Sequence, residues 1–478
     1  MKVHFFWLTV VVILLNIIFS LSLIFIERKN PTTTWAWLLI FLLLPGIGFI
    51  IYIIIGQNFS RQKLFKEKAI IDAYKRKSLK DNYLNISEGK DDGSRYFDLR
   101  KMNFNNSGAR YTENNEIEIY HNGKDKFNAL LKDIKNAKNY IHIQYYIFRK
   151  DEIGTEIIEA LEKKLKEGVE VKFLVDAMGS HKMTKKSLKR YLELGGKFSI
   201  FFPGILPHIN TRVNYRNHRK IVIIDGEYGY VGGFNVGDEY LGKDKKIGNW
   251  RDTHIRIRGK AVTDLGERFL LDWCYAANEQ IIDFDKYDYD GDLEKGDVGI
   301  QIVTSGPDHN EEYIKNGYVK MITNAKKNIF LTTPYFVPDD TMMESLRIAA
   351  LSGVDVQIII PGQPDHKFMQ WAASSYIGEL LDAGAKIFYY NDGFVHAKVL
   401  VVDSEVASIG TANMDIRSFR LNFEVNSFIY NKEIAKNVEK QFMKDLEFSD
   451  EITREKHENR GRGIKILESI IRLLSPIL

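Results

Sequence analysis

Hydrophobic positions crowd the start of the chain and spread out evenly after it. From Val3 to Ile26 no Asp, Glu, Lys or Arg occurs in 24 residues, and from Asn30 to Ser60 another 31 residues lack them, including the run Trp35–Ile55. A bilayer crossing takes about 20 apolar residues. The pattern therefore predicts two transmembrane helices within residues 1–60, joined through Glu27-Arg28-Lys29-Asn30-Pro31 and kinked at Pro45-Gly46. A cleaved signal peptide fits less well, because the first run exceeds the usual apolar core of about 7–15 residues and no small-x-small cleavage site follows it. The flank Arg61, Lys63, Lys66, Lys68, Lys75, Arg76 and Lys77 outweighs Arg28 and Lys29. By the positive-inside rule the large downstream part faces the cytoplasm, and the protein is a multi-pass component of the cell membrane.

Residues 61–107 read as a charged connector with some helix near the membrane. From about residue 115 the pattern switches to alternating strands and helices, as in Tyr140–Phe148 (strand), Thr155–Glu167 (helix) and Val169–Val175 (strand). That alternation favours an α/β fold. The unit recurs: Ala137-Lys138-Asn139-Tyr140-Ile141 matches Ala325-Lys326-Lys327-Asn328-Ile329, and Gly168-Val169-Glu170-Val171 matches Gly353-Val354-Asp355-Val356. A repeat of this length is a duplicated domain rather than a solenoid unit. The expected division is 108–296 and 297–478, with an amphipathic helix ending the second.

The duplication carries chemistry. His218-x-Lys220-x4-Asp225 is followed after six residues by Gly232-Gly233-Phe234-Asn235. His396-x-Lys398-x4-Asp403 is followed at the same spacing by Gly410-Thr411-Ala412-Asn413, 178 residues on. Side chains alternate along a strand, so each His and its Lys share a face. An imidazole beside an ammonium suits a phosphate. Asp225 and Asp403, at odd offset, suit a strand end first and catalysis second. Asn235 and Asn413 can offer amide donors to phosphate oxygens. Two such sets imply one site of two-fold character, where one imidazole attacks phosphorus and the other protonates the leaving alkoxide. Lys220 and Lys398 would stabilise the added charge. His218 is favoured as nucleophile and His396 as acid/base.

Composition narrows this reading. Net charge is +4, from 67 basic and 63 acidic residues, too mild for a nucleic-acid binder on bulk charge. The single Cys274 excludes a disulfide framework and a cysteine zinc cluster. No histidine cluster suggests a metal, and no cofactor is expected. The sequence leaves the oligomeric state open.

The paired motifs resemble the phospholipase D superfamily. Trp250-Arg251-Asp252-Thr253-His254, Ser305-Gly306-Pro307-Asp308, Thr333-Pro334-Tyr335-Phe336, Arg417-Ser418 and Asn422-Phe423-Glu424 extend the likeness to the bacterial cardiolipin synthase family, from the apolar hairpin to the C-terminus. One departure is Gly233, where many superfamily members carry Ser. The resemblance implies two phospholipase D-like α-β-α domains packed as a pseudo-two-fold pair. It implies ping-pong transfer through a phosphatidyl-histidine intermediate: one phosphatidylglycerol donates its phosphatidyl group, another accepts it, and cardiolipin and glycerol are released. It also implies that a carboxylate from the opposite half orients each histidine, Glu424 for His218 and Asp252 for His396. A phospholipase D using water, or a phosphatidyltransferase using another alcohol, would need the same residues.

Two further segments suit an anionic membrane. Lys182, Lys185, Lys186, Lys189 and Arg190 have helical spacing, which would gather them on one face. Ile464, Leu467, Ile470, Ile471 and Leu474 make an apolar stripe among Arg460, Arg462, Lys465 and Arg472, as in an interfacial helix or one packed on the body.

Overall fold

A computed structural model describes residues 2–27, 31–52, 68, 93–203, 214–279, 284–287 and 296–474. It contains two compact units, one N-terminal and one holding nearly all of the remainder. In the first, the opening apolar run forms a helix, Lys2–Ser22, extended by a π-helical turn, Leu23–Glu27. The second run does not continue as a kinked rod. It forms Pro31–Leu43 and Ile47–Ile51, with Gly46 between them at φ 80°. This break reverses the chain, bringing the Tyr52 ring back to 4.9 Å from Trp37 and 5.3 Å from Phe41. Those rings and Leu23 form a small buried cluster. Asn16 donates to the Phe41 carbonyl at 3.3 Å and ties the two runs together. The first helix contains His4 and Asn16, and the second ends at Leu43. Among the described residues no helix is both long and apolar enough to cross a membrane. Of the expected basic flank only Lys68 is described.

The large unit is a duplicated α/β body. Outward from its centre, one half orders its strands Tyr111–Tyr120, His254–Arg258, Tyr228–Gly232, Ile221–Ile224, Tyr140–Tyr145, Glu170–Asp176 and Lys197–Phe201. The other half runs Val298–Ser305, Asn422–Tyr430, Val406–Gly410, Val399–Val402, Asn328–Thr332, Asp355–Pro361 and Lys386–Tyr390, with Ser449–Glu451 added at its edge. The two lists match strand for strand. Tyr111–Tyr120 joins them: Tyr111, Thr112 and, past a bulge, Asn115 pair with the strand Val298–Ser305, and Glu116–Tyr120 pair with His254–Arg258.

The inner strands, such as Ile221–Ile224 and Val399–Val402, are buried along their whole length. Continuous apolar runs of this kind belong to sheets covered on both faces. The helix Glu152–Lys166 supplies one cover, with Asp151 as N-cap to the Gly154 amide and Lys163, Lys164 and Lys166 in its last turn. Both features stabilise the helix ends. Ala261–Ala277 supplies another, burying Leu265, Phe269 and Trp273.

Two local expectations change, and the C-terminal one stands. The stretch read as connector is built into the body from Gly93 onward: Phe97–Ser107 is a helix whose Leu99 joins the core of the second half, and Asn103 donates to Gln301 at 3.2 Å. The basic segment forms no continuous helix. Lys182–Leu188 is mainly turn anchored by buried Met183 and Leu188, and only Lys189–Glu193 is helical. At the C-terminus, Arg462–Leu474 is helical and docks through Ile471 and Leu467, while Ile464, Ile466, Ile470 and Leu473 stay exposed.

Candidate active site

Neither His-x-Lys lies within a ladder strand. Each sits in the step between a two-residue strand and a sheet strand: Arg216–Asn217 then Ile221–Ile224, and Phe394–Val395 then Val399–Val402. The short strands pair with the opposite half. Arg216 and Asn217 lie parallel to Asn422 and Phe423, and Phe394 and Val395 lie parallel to Trp250 and Arg251. The His218 amide then donates to the Phe423 carbonyl at 3.0 Å, and the His396 amide to that of Arg251 at 2.7 Å. The next residue on each partner strand is an acid. His218 Nδ1 is therefore 2.9 Å from Glu424 Oε1, and His396 Nδ1 is 2.6 Å from Asp252 Oδ2. This exchange between halves sets the site.

The acids are buried and fully engaged. Glu424 accepts from the Thr411 hydroxyl at 2.5 Å and the Asn422 amide at 3.1 Å. Asp252 accepts from the Thr253 N–H at 2.7 Å. Burial opposes the charge of Glu424, but His218, Lys220 and Thr411 together hold it below the usual carboxylate range. Burial likewise opposes Asp252, and His396, Lys398 and the Thr253 amide outweigh it. Burial keeps the imidazoles neutral, pulling His218 down to about 4 despite Glu424, and His396 down to about 3 with Lys398 adding to the effect. A neutral imidazole that donates from Nδ1 to a carboxylate leaves its Nε2 lone pair free. That is the form a nucleophile or base requires.

Lys220 and Lys398 are almost fully buried, and each donates to its own histidine's carbonyl, at 2.7 and 2.5 Å. Desolvation, with repulsion from Lys398, brings Lys220 down to about 7, and desolvation outweighs the pull of Asp252 and Glu424 to bring Lys398 down to about 8. Such cations gain most from a phosphate that restores their lost counter-charge.

Asp225 and Asp403 do not join the histidines. Four strand residues beyond each lysine, the Asp225 carboxylate accepts from the amides of Lys138, Asn139 and Tyr140 at 2.7–2.9 Å. Asp403 accepts from Lys326, Lys327 and Asn328 in the same way and also pairs with Arg95. Both occupy left-handed turns, φ 53° and 56°, so their place in the motif is architectural. Asn235 is spent locally as well: its Oδ1 accepts from the Ile147 N–H at 3.1 Å and its amide donates to Tyr240 at 3.2 Å. Asn413 Oδ1 is buried with no hydrogen-bond partner among the described residues.

Sequence reasoning assigned no role to Thr411, Arg216 or Arg219. Arg219, between His218 and Lys220, holds Asp272 through two bonds of 2.7 Å and donates to the carbonyls of Glu424 and Ser305. A buried cation in the motif's variable position was the available signal. Gly233 is also explained. A Cβ there would lie 1.9 Å from Asp252 Oδ1, so the carboxylate occupies the space a side chain would need. Among the described residues no group of His, Cys, Asp and Glu is arranged to hold a metal.

A duplicated α/β body that exchanges imidazole–carboxylate pairs between its halves defines the phospholipase D-like class of proteins. The pattern of the family described as cardiolipin synthase, PLD-like domain, matches residues 130–262 and 318–446, and the phospholipase D-nuclease N-terminal pattern matches residues 14–57. The chain is 55% identical to a cardiolipin synthase of Clostridium perfringens, covering 95% of this chain and 96% of that one. It is 49% identical to the major cardiolipin synthase of Bacillus subtilis, over 97% and 98%. Among solved structures, phosphatidylserine synthase of Haemophilus influenzae superposes with a TM-score of 0.60 at 17% identity, over 80% of this chain and all of that one, a likeness of fold. The chain belongs to the cardiolipin synthase family of the phospholipase D superfamily.

Proposed function

We propose that the protein is a phosphatidyltransferase that converts two phosphatidylglycerol molecules into cardiolipin and glycerol. The observation that carries this reading is the pair of neutral histidines, each fixed at Nδ1 by an acid of the other half. His218 Nε2 attacks the phosphorus of one phosphatidylglycerol. The bond from phosphorus to the terminal glycerol breaks, and His396, which takes up a proton at Nε2 when the anionic phosphodiester binds beside it, gives that proton to the leaving oxygen. The terminal hydroxyl of a second phosphatidylglycerol then yields its proton to His396 while its oxygen attacks phosphorus. The P–N bond breaks and cardiolipin leaves. Lys220 and Lys398 hold the non-bridging oxygens throughout. Residues 108–296 and 297–478 serve as the two phospholipase D-like domains. The N-terminal unit, with Trp7, Ile13, Leu14, Ile17, Phe25, Leu42 and Leu43 turned outward, keeps the body at the cytoplasmic face of the cell membrane.

The test is incubation of detergent-purified protein with headgroup-labelled phosphatidylglycerol, without nucleotide or added metal. Cardiolipin with one free glycerol per product is expected, and His218→Ala and His396→Ala should each abolish it. Phosphatidic acid as the main product would make water the acceptor and overturn the transferase reading.

A further inference from the structure

The helix Arg462–Leu474 meets the body with only part of its circumference. It lies against the helix Lys367–Asp382. Ile471 is buried and Leu467 half-buried against the core of the second half. Arg472 pairs with Glu379 at 2.7 Å, donates to the Ser375 carbonyl at 3.3 Å and lies 4.7 Å from the centre of the Tyr376 ring. The buried Glu468 accepts from Arg460 at 2.8 Å. These contacts fix the rotation of the helix about its axis. The helical repeat then sends Arg462, Lys465, Ile466, Ser469, Ile470 and Leu473 to the opposite face.

That outward face is apolar along its middle and basic along one edge. Ile466 is 63% exposed, Ile470 53% and Leu473 78%. A contiguous apolar patch rimmed by polar groups marks a contact site. The Ser469 hydroxyl turns back to the Lys465 carbonyl at 2.9 Å, so it offers the face no free donor. Arg462 and Lys465 form no ion pair among the described residues, and Glu458, the nearest acid before them in the chain, is held by Arg454 at 2.7 Å. The face carries two cations and no acid. A Cβ at Gly461 or Gly463 would meet nothing within 4 Å, so the first turn stands clear of the described residues.

We propose that Arg462–Leu474 is an interfacial helix: one side docks on the body, and the other lies on an anionic lipid surface. Ile466, Ile470 and Leu473 enter the acyl boundary, and Arg462 and Lys465 sit among the headgroups. Helices that lie in a membrane interface combine an apolar face with flanking basic residues in this way. Charge decides between lipid and a second copy of this chain. Two copies meeting through this face would double its positive charge without adding an acid, whereas anionic headgroups supply the missing counter-charge. The helix thus gives the second half a lipid contact of its own. This contact goes beyond the transferase reading, because it is made by residues outside the site and needs no turnover.

The experiment attaches a nitroxide to Ile470→Cys of the full-length protein, reconstituted in vesicles of phosphatidylcholine alone or mixed with phosphatidylserine. The unmodified protein, whose single Cys274 is buried, gives the background. Collision of the label with oxygen, which enters lipid, is compared with collision with a water-soluble nickel chelate. With phosphatidylserine present the label should be open to oxygen and shielded from nickel, and labels on Ile466→Cys and Leu473→Cys should agree. Each cation near an anionic surface is worth about 5-fold in partition, so Arg462→Gln with Lys465→Gln should lower the ratio of lipid-seated to water-exposed label about 25-fold. Protein that floats with the vesicles while its label stays open to nickel would overturn the proposal. Equal shielding in phosphatidylcholine alone would overturn the assignment to an anionic surface. Dipolar broadening that disappears on dilution with unlabelled protein would give the face to a second copy and overturn it too. None of these outcomes depends on turnover, which headgroup-labelled phosphatidylglycerol reports separately.

Discussion

Replacing Gly233 by Ser, the residue many superfamily members carry there, should cripple the enzyme. A Cβ at this position meets Asp252 Oδ1 at 1.9 Å, Cγ at 2.6 Å and Oδ2 at 2.7 Å. Ordinary contact would require the carboxylate to retreat by about 1.5 Å. Its bond to His396, at 2.6 Å, cannot survive such a shift. A hydrogen bond to a charged group is worth about 1.5–3 kcal/mol, which corresponds to about 10- to 150-fold in kcat. The other half shows how the site accommodates a hydroxyl: Thr411 donates to Glu424, an acid one methylene longer. Gly233→Thr combined with Asp252→Glu should therefore recover about tenfold over either single change, a coupling expected of residues in contact. Cardiolipin formation under saturating phosphatidylglycerol is the assay, with thermal unfolding run alongside to register any loss of fold. Unmodified kcat in Gly233→Ser would refute the packing argument, and strictly additive losses in the double variant would refute the compensation.

Two other outcomes follow from the buried charges. Lys220 and Lys398, at about 7 and 8, lose their positive charge as pH rises through that range. kcat/KM should therefore fall above neutrality. The corresponding limb in kcat should lie at higher pH, because a bound phosphodiester favours the charged lysines; coincident limbs would argue against lysine control. Arg219→Ala would leave Asp272 buried without its bidentate partner, at a cost of about 3–5 kcal/mol in urea unfolding. A change below about 0.5 kcal/mol would mean that Arg268, 2.8 Å from the same acid, suffices.

Much of this molecule was legible in its sequence because duplication writes each message twice. Matched motifs pointed to His218, Lys220, His396 and Lys398, which lie in equivalent steps between strands of the two halves. What one pattern could not show was where a side chain's bonds go. Asn235 reads as a phosphate donor until Ile147 and Tyr240 are found to occupy it. The basic segment reads as a helix face until Met183 and Leu188 pin it as a turn. Pro45-Gly46 reads as a kink, yet aromatic packing between Tyr52 and Trp37 favours reversal. Long-range pairings such as Arg95 with Asp403 leave no periodic trace at all.

The exchange of acids between halves has a consequence for how the enzyme comes into being. His218 waits for Glu424, 206 positions further along, and His396 needs Asp252, 144 positions back. A ribosome adding about 5–20 residues per second thus exposes the first histidine well before its acid exists. Until then its imidazole has neither the fixed tautomer nor the buried setting that makes it reactive. The nascent chain can meet lipid without attacking it, and the chemistry switches on only when the second half closes over the first.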